Sequence, residues 1–111
     1  MDEEEALGNS KKGLRIVILK NLFTIEEAHK IPCFFEDLKT DVLKEIEERI
    51  GKVIRIKIYE NNPEGVVELK FESPSDASNC IEKMNGRIYA GRKIECFFYD
   101  GKTDYKRVRF M

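Results

Sequence analysis

Val53-Ile54-Arg55-Ile56-Lys57-Ile58-Tyr59, then Glu60-Asn61-Asn62-Pro63-Glu64-Gly65, then Val66-Val67-Glu68-Leu69-Lys70-Phe71, is the segment on which the reading of the fold turns. Its first part alternates apolar and basic residues, the period-two signature of a strand with one face buried and one exposed. The middle part carries turn chemistry, and the last is a second β-rich run. The spacing predicts an antiparallel hairpin.

Outward from that hairpin, the chain reads almost symmetrically. On the amino-terminal side, Phe35, Leu38, Val42, Ile46 and Ile50 recur at intervals of three and four, which predicts an amphipathic helix ending at Gly51. Before it, beyond a connection containing Pro32, Leu14-Arg15-Ile16-Val17-Ile18-Leu19 reads as a buried central strand ended by Asn21. On the carboxyl-terminal side, Ser73-Pro74-Ser75-Asp76 supplies a capping residue, a proline at the first helical position and an early acid. Ala77, Cys80, Ile81 and Met84 mark the inward face of that helix, which stops at Asn85-Gly86. A loop over 86–92 leads to a last strand, Lys93 to Tyr99, in which one of Phe97, Phe98 and Tyr99 joins the core and another lies on the open sheet face. The order βαββαβ predicts an α+β, ferredoxin-like fold: a four-stranded antiparallel sheet with two helices on one face. The expected layout is a disordered leader over 1–13, a domain over 14–100 and a carboxyl-terminal extension over 101–111. The basic stretch Lys106 to Phe110 is read as solvated tail.

Composition narrows the function. The 111 residues hold 20 Lys+Arg against 21 Asp+Glu, a formal net charge of -1, so the chain is not a general binder of phosphate backbone. No run reaches the roughly 18–20 apolar residues of a membrane span, and the acidic Asp2-Glu3-Glu4-Glu5 is the wrong charge for a secretory signal. A soluble, intracellular chain with no membrane contact is expected. Cys33, Cys80 and Cys96 are odd in number and widely spaced, which suits neither a disulfide framework nor a zinc site. They are read as reduced and partly core. His29 has no partner ligand nearby and is placed in an exposed loop, so no metal or cofactor is expected.

A split βαβ sheet of this length is the frame of the RNA recognition motif, in which aromatic side chains on the two central strands stack bases. Function must still be read from the site. In Glu64-Gly65-Val66-Val67-Glu68-Leu69-Lys70-Phe71 an acid takes the place of the leading base, Val66 that of the first stacking ring and Glu68 that of the second. On the first strand Ile18 takes the place of another. Stacking is worth about 1–3 kcal/mol per base, so three missing rings remove most of what binds single-stranded RNA there. Weak, salt-sensitive RNA binding through Arg55, Lys57 and the tail stays as the alternative. An acyl-phosphate hydrolase on this frame needs an arginine in its anion-cradling first loop, and Asn21-Leu22-Phe23-Thr24 has none; no nucleophile and base pair is visible either. The chain is read as non-catalytic.

A second surface lies on the first helix. At about 100° per residue, Asp37, Asp41, Glu45 and Glu48 share a sector beside the apolar face, while Glu47 points elsewhere. An acidic helix face alone is ordinarily just solvated. Arg87 and Tyr89 change that weighting, because their loop borders the groove between the helices. An arginine, an aromatic and an acidic rim make a socket for a peptide with one large aromatic anchor and basic flanks.

These residues resemble the U2 auxiliary factor homology motif family, RNA-recognition-like domains that bind protein in place of RNA. The resemblance rests on Arg87-Ile88-Tyr89, similar to the family's Arg-Xaa-Phe motif, on the acidic first helix and on the degenerate Glu64–Phe71 run. Lys20-Asn21-Leu22-Phe23, Asn85-Gly86-Arg87 and Asp100-Gly101-Lys102-Thr103-Asp104-Tyr105 are most similar to the Tat-specific factor branch, associated with the U2 small nuclear ribonucleoprotein (U2 snRNP). The resemblance spans residues 14 to 105. It implies a nuclear, monomeric splicing module that binds a Trp-containing basic motif, the usual partner being the scaffold subunit of splicing factor 3b. By position, Tyr89 then packs on the ligand tryptophan beside Ile88, and Arg87 closes the pocket and pairs with a helix acid. Asp41 and Glu45 receive the ligand's basic residues, with Glu48 assisting. Tyr89 stands where Phe is usual, so its hydroxyl needs a partner or water in the complex.

Overall fold

The computed structural model describes residues 14–106. Strand β1 (Ile16–Lys20) is followed by a short helix α1 (Ile25–Lys30) and a long helix α2 (Phe34–Arg49). Strands β2 (Val53–Ile58) and β3 (Val67–Phe71) form the hairpin, and α3 (Pro74–Met84) follows. Then come β4 (Ile88–Tyr89), β5 (Arg92–Lys93) and β6 (Glu95–Phe98). The main sheet is antiparallel in the order β2-β3-β1-β6, with β4-β5 a separate two-stranded ribbon. The leader over 1–13 and the tail over 107–111 lie outside the described residues.

Alternation on β1 divides the molecule into two sides. Val17 and Leu19 face the helices and pack with Leu38, Val42 and Ile46 of α2 and with Ala77, Cys80 and Met84 of α3. Burying an aliphatic side chain of this size contributes roughly 1.5–3 kcal/mol, so this cluster fixes α2 and α3 on the sheet. Ile18 points the other way and is fully buried with Val66 and Tyr105. The phenylalanines follow the same rule: Phe98 packs toward the helices and Phe97 toward the second cluster. Cys80 and Cys96 are buried with their sulfurs 4.0 Å apart, and Cys33 is exposed.

Four local readings are corrected. The connection before α2 contains α1, held by a capping box in which Thr24 and Glu27 bond each other's backbone. His29 is exposed, as expected, but it sits in the last turn of that helix rather than in a loop. Pro32 then forces Ile31 into extended backbone, which stops α1. The 86–92 loop is the ribbon β4-β5, turned by Ala90 and Gly91 at φ 53° and 80°, the two positive angles of a type I′ turn. Finally, the register slips between Val53 and Arg55, so Ile54 is 49% exposed on the edge strand instead of continuing the buried face.

Candidate functional site

The open sheet face is covered. Tyr105, carried by the extension after β6, lies over Ile18 and Val66 and is itself only 8% exposed. Its ring centroid is 5.8 Å from that of Tyr59 and 6.4 Å from that of Tyr99. The extension is guided there by Asp100, whose carboxylate accepts the backbone N–H groups of Lys102 and Thr103 and the Thr103 hydroxyl, at 2.7 to 2.9 Å. Those bonds hold the Asp100 carboxyl below its ordinary pKa, the Thr103 hydroxyl contributing most. The buried Asn62 side chain donates to the Tyr105 carbonyl at 3.0 Å and accepts from the Glu64 N–H at 2.8 Å, tying the extension to the β2–β3 turn. Gly65 in that turn has φ 65°, and a Cβ there would meet the Phe23 carbonyl oxygen at 2.4 Å, so only glycine fits.

Glu68 with Arg55 and Glu64 with Lys20 form ion pairs on this face. Glu68 is 6% exposed; it accepts the Tyr59 hydroxyl at 2.6 Å and the Arg55 guanidinium at 3.0 Å. Burial, then the bond to Glu68, pushes the Tyr59 phenol pKa well up. Lys20 pairs with Glu64 at 2.8 Å and sits over the rings of Phe97 and Tyr105. Glu64 raises the pKa of its ammonium. A base arriving at this face meets a ring already in place and two central positions, Ile18 and Val66, that are aliphatic.

On the opposite side a cavity of about 480 Å³ opens between α2, the end of α3 and β4. Leu19, Val42, Ile46, Met84 and Ile94 give it an apolar floor. Six residues singled out from the sequence, Asp41, Glu45, Glu48, Arg87, Ile88 and Tyr89, all line it. Asp37 does not; it borders a neighbouring cavity. Glu47 lies off the site, as its helical angle implies, accepting the Val53 N–H at 3.2 Å. Val42 and Ile46 are both core and cavity floor.

Arg87 spans the cavity mouth. Its guanidinium pairs with Glu45 at 2.9 Å and touches the Met84 sulfur at 3.8 Å. Glu45 also holds Arg49 one helical turn on, and its Oε2 is sealed from solvent. Glu45 is thus already engaged in the free protein, leaving the exposed Asp41 and Glu48 as the open acids of the rim. Tyr89 is half-buried, and burial followed by the nearby Asp41 raises its phenol pKa.

The residues that hold the ribbon in place were not anticipated. Arg92 donates to the carbonyls of Asn21 and Leu22, both at 3.1 Å, and pairs with Glu27 at 3.1 Å. Asn21 returns a bond to the Lys93 carbonyl at 2.9 Å. Arg92 therefore bolts the β4-β5 turn to the β1–α1 loop, which fixes where Tyr89 stands. The Thr24-Ile25-Glu26-Glu27 capping signature was the available signal, because it places Glu27 on an ordered helix. Among the described residues, no group of three His, Cys, Asp or Glu side chains could hold a metal ion, and no helix is long and apolar enough to cross a membrane.

Comparison with known proteins agrees with this fold. The family model described as RNA recognition motif matches residues 34–95. The chain is 31% identical over 104 residues, 94% of its length, to the 17S U2 snRNP complex component HTATSF1 of Mus musculus. It is 37% identical over 107 residues, 96% of its length, to splicing factor U2AF-associated protein 2 of Schizosaccharomyces pombe. The chain spans 14% and 29% of the length of these two relatives. Among solved structures, the third RNA recognition motif of Mip6 superposes with TM-score 0.59 at 14% identity, covering 79% of this chain and 96% of that one. The Rna15 motif superposes with TM-score 0.55 at 16% identity, covering 78% and 91%. These two likenesses establish the fold.

Proposed function

The chain belongs to the RNA recognition motif family, and from that premise we propose that it is a non-catalytic, protein-binding module of a nuclear pre-mRNA splicing factor. Its ligand is a basic peptide segment with one tryptophan. The indole enters the cavity between α2 and β4, packs on Tyr89 and Ile88, and is closed over by Arg87 from its pairing with Glu45. Ligand lysines or arginines lie against Asp41 and Glu48. The observation that carries this reading is the apolar cavity capped by the Arg87–Glu45 pair. A deep anchor with charged rim contacts is the usual division between affinity and steering. The U2 snRNP and U2AF names of the relatives support a partner within that machinery, and the resemblance of the Arg87-Ile88-Tyr89 motif favours the scaffold subunit of splicing factor 3b.

Calorimetric titration with a short basic peptide containing one Trp tests the proposal, with a Trp→Ala peptide and a mixed-sequence single-stranded RNA as controls. Micromolar affinity, about -8 kcal/mol, is expected for the Trp peptide alone. Tyr89→Ala or Arg87→Ala abolishes it in a folded domain, and Asp41→Lys weakens it mainly at low salt. Binding of the RNA but not the peptide, with a steep salt dependence, would transfer the function to the sheet face.

A further inference from the structure

Beyond Tyr89, on the side away from the tryptophan cavity, a second cavity of about 220 Å³ opens between the α1–α2 junction and the β4-β5 turn. Leu22, Ile31, Phe34, Leu38 and Ala90 make its apolar wall. Leu22, Asp41 and Tyr89 line both cavities, so the two lie side by side with the tyrosine between them. Less than half the volume of the first, the second cavity has room for one side chain.

Its construction is local and firm. Ile31 is 47% exposed yet held at the lip, because Pro32 fixes its backbone and the Thr24–Glu27 capping box fixes the helix before it. The far wall is set by Arg92, whose charge Glu27 meets at 3.1 Å. With that pair neutral, Asp37 and Asp41, both exposed, give the rim a negative character that suits the basic ligand of the first cavity.

We propose that this second cavity is a subsite for the same peptide and takes one aliphatic side chain, Leu, Ile, Val or Met, from within a few residues of the anchoring tryptophan. The inference rests on the peptide-binding reading above, and it makes Ile31 a specificity-determining residue. Adjacency across Tyr89, an apolar wall and a shared acidic rim at Asp41 are its grounds; a ligand emerging past the tyrosine on that side meets apolar surface instead of water.

The test is a leucine scan. A parent peptide of Gly, Ser, Lys and one Trp is titrated against the protein, and then a set in which Leu replaces one residue at each position up to four before and four after the Trp. One offset is expected to raise affinity about fivefold or more, as partial burial of an aliphatic side chain permits. In Ile31→Ser, a change at an exposed position, that Leu peptide and the parent are expected to bind alike. A parent that binds while no offset improves on it, or a gain that persists undiminished in Ile31→Ser, overturns the subsite and leaves the tryptophan cavity standing. Failure of the parent peptide to bind overturns both readings.

Discussion

Replacing Tyr105 by Ala removes the ring that separates Ile18 and Val66 from water. Truncating a fully enclosed aromatic costs about 3–5 kcal/mol, but this ring lies on an outer face and its chain segment can relax, so the expected loss is about 2–3 kcal/mol. The lost position over Lys20, a cation–π contact of about 0.5–1 kcal/mol, falls within that figure. For a domain of this size the loss corresponds to a Tm lower by roughly 10–20 °C. Urea denaturation followed by circular dichroism measures it, with Tyr105→Phe as control. The control retains the ring and is expected to lie within about 1 kcal/mol of the parent. A Tyr105→Ala loss below about 0.5 kcal/mol would refute the claim that the extension is part of the folded sheet face. RNA affinity is a second readout: with Tyr105 gone the two central positions, Ile18 and Val66, are still aliphatic, so Tyr105→Ala is expected to gain no sequence-selective RNA binding.

Three further outcomes follow from the same contacts. Arg92→Ala removes the bonds that hold the ribbon to the β1–α1 loop; stability should fall by about 1–2 kcal/mol, and peptide affinity should fall severalfold although Arg92 lies outside the α2–β4 cavity, by denaturation and titration respectively. Ala90→Gly relieves a left-handed conformation costing about 1–2 kcal/mol for an L-residue, offset in part by the extra freedom of glycine when unfolded, so denaturation should show a net gain of about 0.5 kcal/mol. Asp100 has a depressed folded-state pKa, so its contribution is present above the ordinary value of 3.8 and is lost as pH falls through the folded value. Asp100→Asn should therefore be less stable than the parent at pH 7, by under about 1 kcal/mol because the group is solvent-screened, and the difference should narrow in denaturation repeated at pH 3.

The fold could be read from the sequence because its long elements repeat one signal many times. Leu38, Val42 and Ile46 each restate the period of α2, and Val66 to Phe71 can pair only with a strand of similar character. What escaped the reading was decided by single residues. The ribbon depends on Ala90, not an obvious turn former, accepting a positive φ beside Gly91. The exposure of Ile54 depends on a register slip that a strict alternation cannot announce. Tyr105 shows it best: Ile18, Val66 and Glu68 read as lost stacking positions, yet an aliphatic patch at the centre of a sheet also needs a cover. The tyrosine 39 residues beyond Val66 supplies it. At the cavity, residue types and helical angles gathered Asp41, Glu45, Glu48 and Arg87-Ile88-Tyr89, whereas which acid Arg87 holds required the actual crossing of α2 and β4.

Amide chemical-shift mapping of the labelled chain during titration with the single-Trp basic peptide tests the central claim most directly. Shifts concentrated at Asp41, Glu45 and Arg87 to Ala90, with Ile18, Glu68 and Phe97 unmoved, are the predicted result. Shifts centred on Ile18, Glu68 and Phe97, with the α2–β4 cavity silent, would show that the sheet face and not the cavity is the binding surface.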